Sequence, residues 1–428
     1  MTSDGPGRRR RGFGPAALLL GPLTLGLAAC GLPGAAPGPA GPPSSTPTGP
    51  VSAPGTASAA ARSSATPSPS TTTSTPTPSA SPSARCADLV RRLTLEERVG
   101  QLLMVAVTST GVTPEQASVV GRTHAGSVIL LGNSTAGLAA VQSVVADVRE
   151  AAVRPQQVDV LLAADQEGGM VQRLAGEGFS DIPSAEQQAK LSRAELTADA
   201  EAWGEQLAKA GIHADLAPVA DVVPAELAGV NEPIGKLRRG YGSSPKTVAQ
   251  KVAAFTTGMD NAGIATAVKH FPGLGRVRGN TDFTSRVVDT VTTRKDAGLA
   301  GFRAAVDAGA DMVMISSAVY DRIDPRRQAV FSEAVVDGMV RDGLGFDGVV
   351  ISDDLSAAAV QNLRPGQRAV AFVRAGGDLV IVGDPGEAAA MAEALVERAG
   401  SDRDFAERVD QSAARVLALK NRRGLTGC

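Results

Sequence analysis

The sequence predicts a single (β/α)8 barrel of the TIM type over residues 86–428, preceded by a lipoprotein signal and a disordered linker. Three observations carry this expectation. Short apolar runs recur eight times within those residues, and helix-like stretches separate them. No G-x-G-x-x-G follows any run, which disfavours the runner-up, a doubly wound open sheet. Strands rich in Val, Ile and Leu that alternate with helices read as a parallel sheet covered by helices. Eight of them in roughly 340 residues suit a closed barrel with enlarged loops.

In chain order, residues 1–29 come first. Arg8 to Arg11 precede the apolar stretches Ala16–Leu20 and Leu23–Ala29. A basic start and a short apolar core form an export signal, too short for an ordinary membrane span. Arg10-Arg11-Gly12-Phe13 hints at twin-arginine export, with the general route left open. The segment ends in Leu27-Ala28-Ala29-Cys30, which resembles the bacterial lipobox. That resemblance implies lipidation of Cys30 and a mature protein anchored to the outer face of the cell membrane. An ordinary cleavage nearby, with Cys30 incidental, is the alternative.

Residues 30–85 read as a linker. Of residues 31–85, 51 of 55 are Gly, Ala, Pro, Ser or Thr, so the segment cannot bury enough apolar surface to offset its ordering entropy. The expected role is a tether that holds the domain away from its anchor. Nearly half of the 27 prolines, 13 of them, sit here.

A net charge of −2 argues against a nucleic-acid reader. Three His and three Cys leave little material for a metal cluster, so no metal or cofactor is expected. Cys86 and Cys428 bracket the folded region. Outside the cytoplasm disulfides persist, and a staple between these two needs adjacent termini, as a closed barrel supplies. Two independent thiols are the alternative.

The expected strands are Leu102–Val107, Ser127–Leu131, Val158–Ala164, Ala214–Val219, Ile264–Val268, Ala310–Ile315, Gly348–Ile351 and Asp378–Val382. Helices are expected at Ala185–Ala210, Pro245–Ala262 and Glu387–Arg398. Barrel chemistry sits at the C-terminal strand ends. The third strand leads into Asp165-Gln166-Glu167-Gly168-Gly169-Met170-Val171-Gln172-Arg173, whose carboxylates and arginine can hold several hydroxyls of a polyol. The fifth leads into Lys269-His270-Phe271-Pro272-Gly273, and the seventh into Ser352-Asp353-Asp354-Leu355-Ser356. Each alone also reads as a cap or a solvated loop. Gathered at one barrel mouth, the carboxylates suit glycoside hydrolysis.

Over nearly all of residues 90–428 the chain resembles glycoside hydrolase family 3, in its bacterial β-N-acetylglucosaminidase branch. The blocks Leu93–Gln101, Asp165–Arg173, Ala217-Pro218-Val219-Ala220-Asp221-Val222, Lys269–Gly273 and Gly345–Leu355 occur in family order and spacing. The resemblance implies that Asp353 is the nucleophile of a retaining, exo-acting enzyme, and that Asp354 positions neighbours or caps a helix. It also implies that Asp165, Arg173, Arg239, Lys269 and His270 bind the terminal sugar, here a small glycan or muropeptide, in a monomeric protein.

The chain departs from the branch at its general acid, a loop histidine with an aspartate two residues before it. Those positions hold Asp282 and Asn280, and Ser317 stands where the family often has another histidine. Asp282 is the nearest remaining donor. Alternatives are a β-glucosidase-type or phosphorolytic member, or a glycan-binding lipoprotein whose acid/base has decayed. Aromatics at 3% favour a short pocket over a long stacking cleft, and the segment after the eighth strand leaves no room for a second domain.

Overall fold

The computed structural model describes residues 82–428; the expected signal, Cys30 and linker residues 30–81 lie outside the described residues. Eight parallel strands follow in order: β1 Leu103–Thr108, β2 Ser127–Leu131, β3 Leu161–Ala164, β4 Ala214–Asp215, β5 Ala265–Phe271, β6 Met312–Ile315, β7 Val349–Ser352 and β8 Val380–Val382. Each pairs with its neighbour in sequence, and β1 pairs with β8. The seam between β7 and β8 is joined by the bridge Ile351–Leu379 and by Ser352 N–H donating to Leu379 O at 2.9 Å. The sheet is therefore a barrel, as the spacing predicts.

Strand alternation divides the core in two. Met104 and Ala106 of β1, Ile351 of β7 and Ile381 of β8 point inward, where they meet Leu161, Leu216 and Met314. Leu103, Val105, Val350 and Val382 point outward against the helices. Each such fully buried side chain contributes roughly 1.5–3 kcal/mol relative to exposure. Val416, Leu419 and Leu425 from the C-terminal segment join the interior cluster. Asp159, just before β3, donates its N–H to Leu425 O at 2.8 Å, so this plug closes the N-terminal end of the barrel. The opposite end stays open.

Several expected elements are shorter: Val158–Ala164 begins only at Leu161, Ala310–Ile315 at Met312 and Asp378–Val382 at Val380. β4 reaches only Asp215 because Pro218 has no N–H for the ladder; a single bridge, Val219–Lys269, continues its course. The expected helix Ala185–Ala210 is two helices, Ala185–Gln188 and Arg193–Ala210. Ser192 starts the second through a capping box with Glu195.

Helix Pro82–Arg92 packs on the last helix, Arg403–Arg422, and Cys86 is bonded to Cys428 across a sequence separation of 342. The expected staple is present. Reduction, or Cys86→Ser with Cys428→Ser, should cost about 2–5 kcal/mol of stability, read as a lower melting temperature. An unchanged midpoint would show the ends are held by packing alone.

Candidate active site

After β3 the chain makes a tight hairpin, Gln166–Gly168 against Val171–Gln172. Gly168 sits at φ 99°, and a Cβ there would meet Pro183 O at 2.4 Å, so only glycine turns the chain at this point. The Gln166 side chain fixes the hairpin: its Oε1 accepts Arg173 N–H at 3.1 Å and Leu174 N–H at 3.0 Å. That clamp carries Asp165, Glu167 and Arg173 to the barrel mouth. Arg173 in turn donates to Asn133 Oδ1 at 2.9 Å.

On β5 the pairing register with β6 shifts between Val268 and Phe271. Neighbours on a regular strand face opposite sides. Across this irregularity Lys269 and His270 both reach the same pocket. Lys269 Nζ lies 2.5 Å from Asp165 Oδ1 and 2.7 Å from Glu167 Oε1. Arg239 donates to Glu167 through Nε at 2.8 Å and a terminal nitrogen at 2.7 Å. Burial would raise the Glu167 carboxyl, yet Arg239 and Lys269 overcome it and hold the group far below the usual carboxylate range. For Lys269, burial acts downward while Asp165 and Glu167 raise it. These charged hydrogen bonds fix the cluster geometrically.

His270 is held from behind. Its Nδ1 lies 2.7 Å from Asp221 Oδ2, and its Nε2 lies 3.4 Å from a terminal nitrogen of Arg239. Asp221 Oδ1 also accepts Leu274 N–H at 2.7 Å, tying the next loop to the same carboxylate.

Asp353 follows β7 directly, with its N–H donating to Ile315 O at 2.9 Å. Its Oδ1 accepts Asp354 N–H, also at 2.9 Å. Burial raises the Asp353 carboxyl to about 6, with His270 opposing and Asp282 adding to the rise. Asp354 instead accepts Ser356 N–H and Gly383 N–H at 2.8 Å each. It therefore organises the loop and its junction with β8, as the resemblance implies.

Asp282 stands on the long loop after β5 and is exposed. Its turn is nevertheless fastened. Asn280 Oδ1 accepts Asp282 N–H at 3.0 Å, while Thr281 O and Asp282 O accept Ala359 N–H and Ala358 N–H at 3.0 and 3.2 Å.

Asp165, Arg173, Arg239, Lys269, His270, Asp282 and Asp353 all line one pocket of about 350 Å³ at the C-terminal strand ends. A wider groove of about 910 Å³ lies on the outer wall between helices Pro365–Arg374 and Ala388–Ser401 and contains none of them. The strand-end pocket is the candidate site.

Residues 94–419 match the glycosyl hydrolase family 3 N terminal domain. The chain belongs to glycosyl hydrolase family 3. It is 33% identical over 296 residues to a β-hexosaminidase of Stenotrophomonas maltophilia, covering 66% of this chain and 84% of that one. Among solved structures it is similar to a β-N-acetylhexosaminidase from Beutenbergia cavernae, with 48% identity and a TM-score of 0.75 over 77% of this chain and 99% of that one. It is also similar to a family 3 β-N-acetylglucosaminidase from Paenibacillus, with 31% identity and a TM-score of 0.71 over 78% and 64%.

This family 3 barrel is a glycosidase. Asp221 escaped assignment from sequence, and Glu167, expected to hold hydroxyls of a polyol, is instead engaged by two cations. Glu167 neutralises Arg239 and Lys269, and Asp221 orients His270. Both stand in quoted blocks at strand ends, and that position was the available signal.

Proposed function

We propose that the protein is a β-N-acetylhexosaminidase that removes terminal β-linked N-acetylglucosamine from peptidoglycan fragments, exo-wise and with retention. The observation that carries this reading is the Asp353 carboxylate facing the Asp165–Lys269–His270 cluster within about 350 Å³, room for a terminal sugar rather than a chain. The names of the similar proteins support the sugar.

In this mechanism an Asp353 oxygen attacks the anomeric carbon as the glycosidic C–O bond breaks, and Asp282 gives its proton to the departing oxygen. Asp282 then takes a proton from water, which attacks the same carbon and releases Asp353. Asp165 accepts from sugar hydroxyls, while Arg173 and Lys269 donate to them. The Asp165–Lys269 ion pair and the Arg173–Asn133 hydrogen bond hold them ready before substrate arrives. Export and a lipid anchor on Cys30 complete the proposal, placing the barrel on the outer face of the cell membrane. A mature mass lacking lipid on Cys30 would overturn the anchor.

The exposure of Asp282 favours one second reading, a glycan-binding protein whose proton transfer has decayed. A panel of 4-nitrophenyl glycosides separates the two. Release from the β-N-acetylglucosaminide well above the β-glucoside is expected. Equal rates would sink the sugar assignment, and no release from any sugar would sink the enzyme.

A further inference from the structure

The pocket has a belt of charged groups above apolar barrel residues such as Leu216, Met314 and Ile381, and a separate exposed apolar pair at its lip. Among the described residues, the two most exposed large apolar side chains are Phe283 (83%) and Met170 (64%), and both line this pocket. Scattered exposed apolar residues are ordinary, but a pair at one pocket mouth is a recognition feature. They come from different loops. Met170 sits at the tip of the hairpin after β3, and Phe283 follows Asp282 on the loop after β5.

The exposure of Phe283 is held in place. Asn280 O accepts Phe283 N–H at 3.2 Å and Thr284 N–H at 2.9 Å, and the two preceding carbonyls are fastened to Ala358 and Ala359. The ring is thus presented on a fixed turn. Being adjacent to Asp282, it stands where the atoms beyond the scissile oxygen must lie if Asp282 protonates that oxygen. Below it, the charged groups are already engaged with one another and serve the sugar.

We infer that Phe283 and Met170 form a leaving-group platform that selects glycosides whose aglycone has an aromatic or flat apolar face, such as an aryl group or the C–H face of a second sugar ring. This rests on the proposed glycosidase reading for the position of the sugar, and the platform contributes by stacking beside it.

The test is calorimetric binding of non-hydrolysable methyl and phenyl β-thioglycosides of N-acetylglucosamine to the full chain, which needs no turnover. In the wild type the phenyl compound should bind on the order of tenfold tighter than the methyl compound. That advantage should vanish in Phe283→Ala, shrink in Met170→Ala and survive in Phe283→Trp, with methyl affinity unchanged throughout. The exposed position of Phe283 makes all of these compatible with folding. An advantage that persists in Phe283→Ala, or one absent from the wild type, overturns the platform, as does failure of both compounds to bind. Preferential phenyl binding without turnover of any glycoside would overturn the glycosidase mechanism and leave the platform standing.

Discussion

Asp353→Ala should lower kcat on an aryl β-N-acetylglucosaminide by on the order of 10⁴-fold or more, since removal of the proposed covalent nucleophile leaves only binding and positioning. The proposed mechanism needs this carboxylate ionised, and burial raises it to about 6. The acidic limb of kcat/KM should therefore fall near pH 6. One neighbouring substitution should move that limb. His270→Gln removes a group that favours ionisation and shifts it up.

The same burial fixes the sign of the stability effect. A carboxyl raised above its usual 3.8 contributes stability in acid that is lost as pH rises through about 6. Asp353→Asn should therefore gain stability over the wild type above pH 6 and lose that gain below about pH 4. Full activity in Asp353→Ala, or an acidic limb indifferent to His270→Gln, would exclude Asp353 as nucleophile.

Asp282→Asn should separate substrates by leaving group. A disaccharide whose departing sugar needs a proton should lose about 10²–10⁴-fold in kcat, the usual worth of a positioned acid. A 4-nitrophenyl glycoside departs as a stabilised anion and should lose little in its first step. Equal, large losses on both would mean that Asp282 shapes the pocket. No loss on either would mean that the proton comes from elsewhere.

The barrel was legible because its strands are buried on both faces. Runs such as Val128–Leu130 and Val349–Ile351 had to be continuously apolar, and periodicity found all eight. Interruptions were less legible. Pro218 shortens β4, and the Ser192–Glu195 cap divides a helix that apolar spacing alone runs together. The site was legible as positions more than as pairings. Asp165, Lys269, His270 and Asp353 follow strand ends, where function is expected. That Glu167 meets an arginine 72 residues away, or that Asp221 backs a histidine 49 residues away, depends on distances that only the closed sheet creates. Two adjacent residues of β5 share one pocket through a register irregularity that no alternation pattern predicts.

The bond between Cys86 and Cys428 also fixes how mechanical load crosses the molecule. A pull applied between the chain before Cys86 and the chain at Cys428 runs through two sulfur atoms and bypasses the barrel between them. No strand that carries a catalytic side chain is stretched, whatever holds the N-terminal side. Equally, one proteolytic cut anywhere between the two cysteines leaves a single covalent molecule, whose fragments stay together to close again.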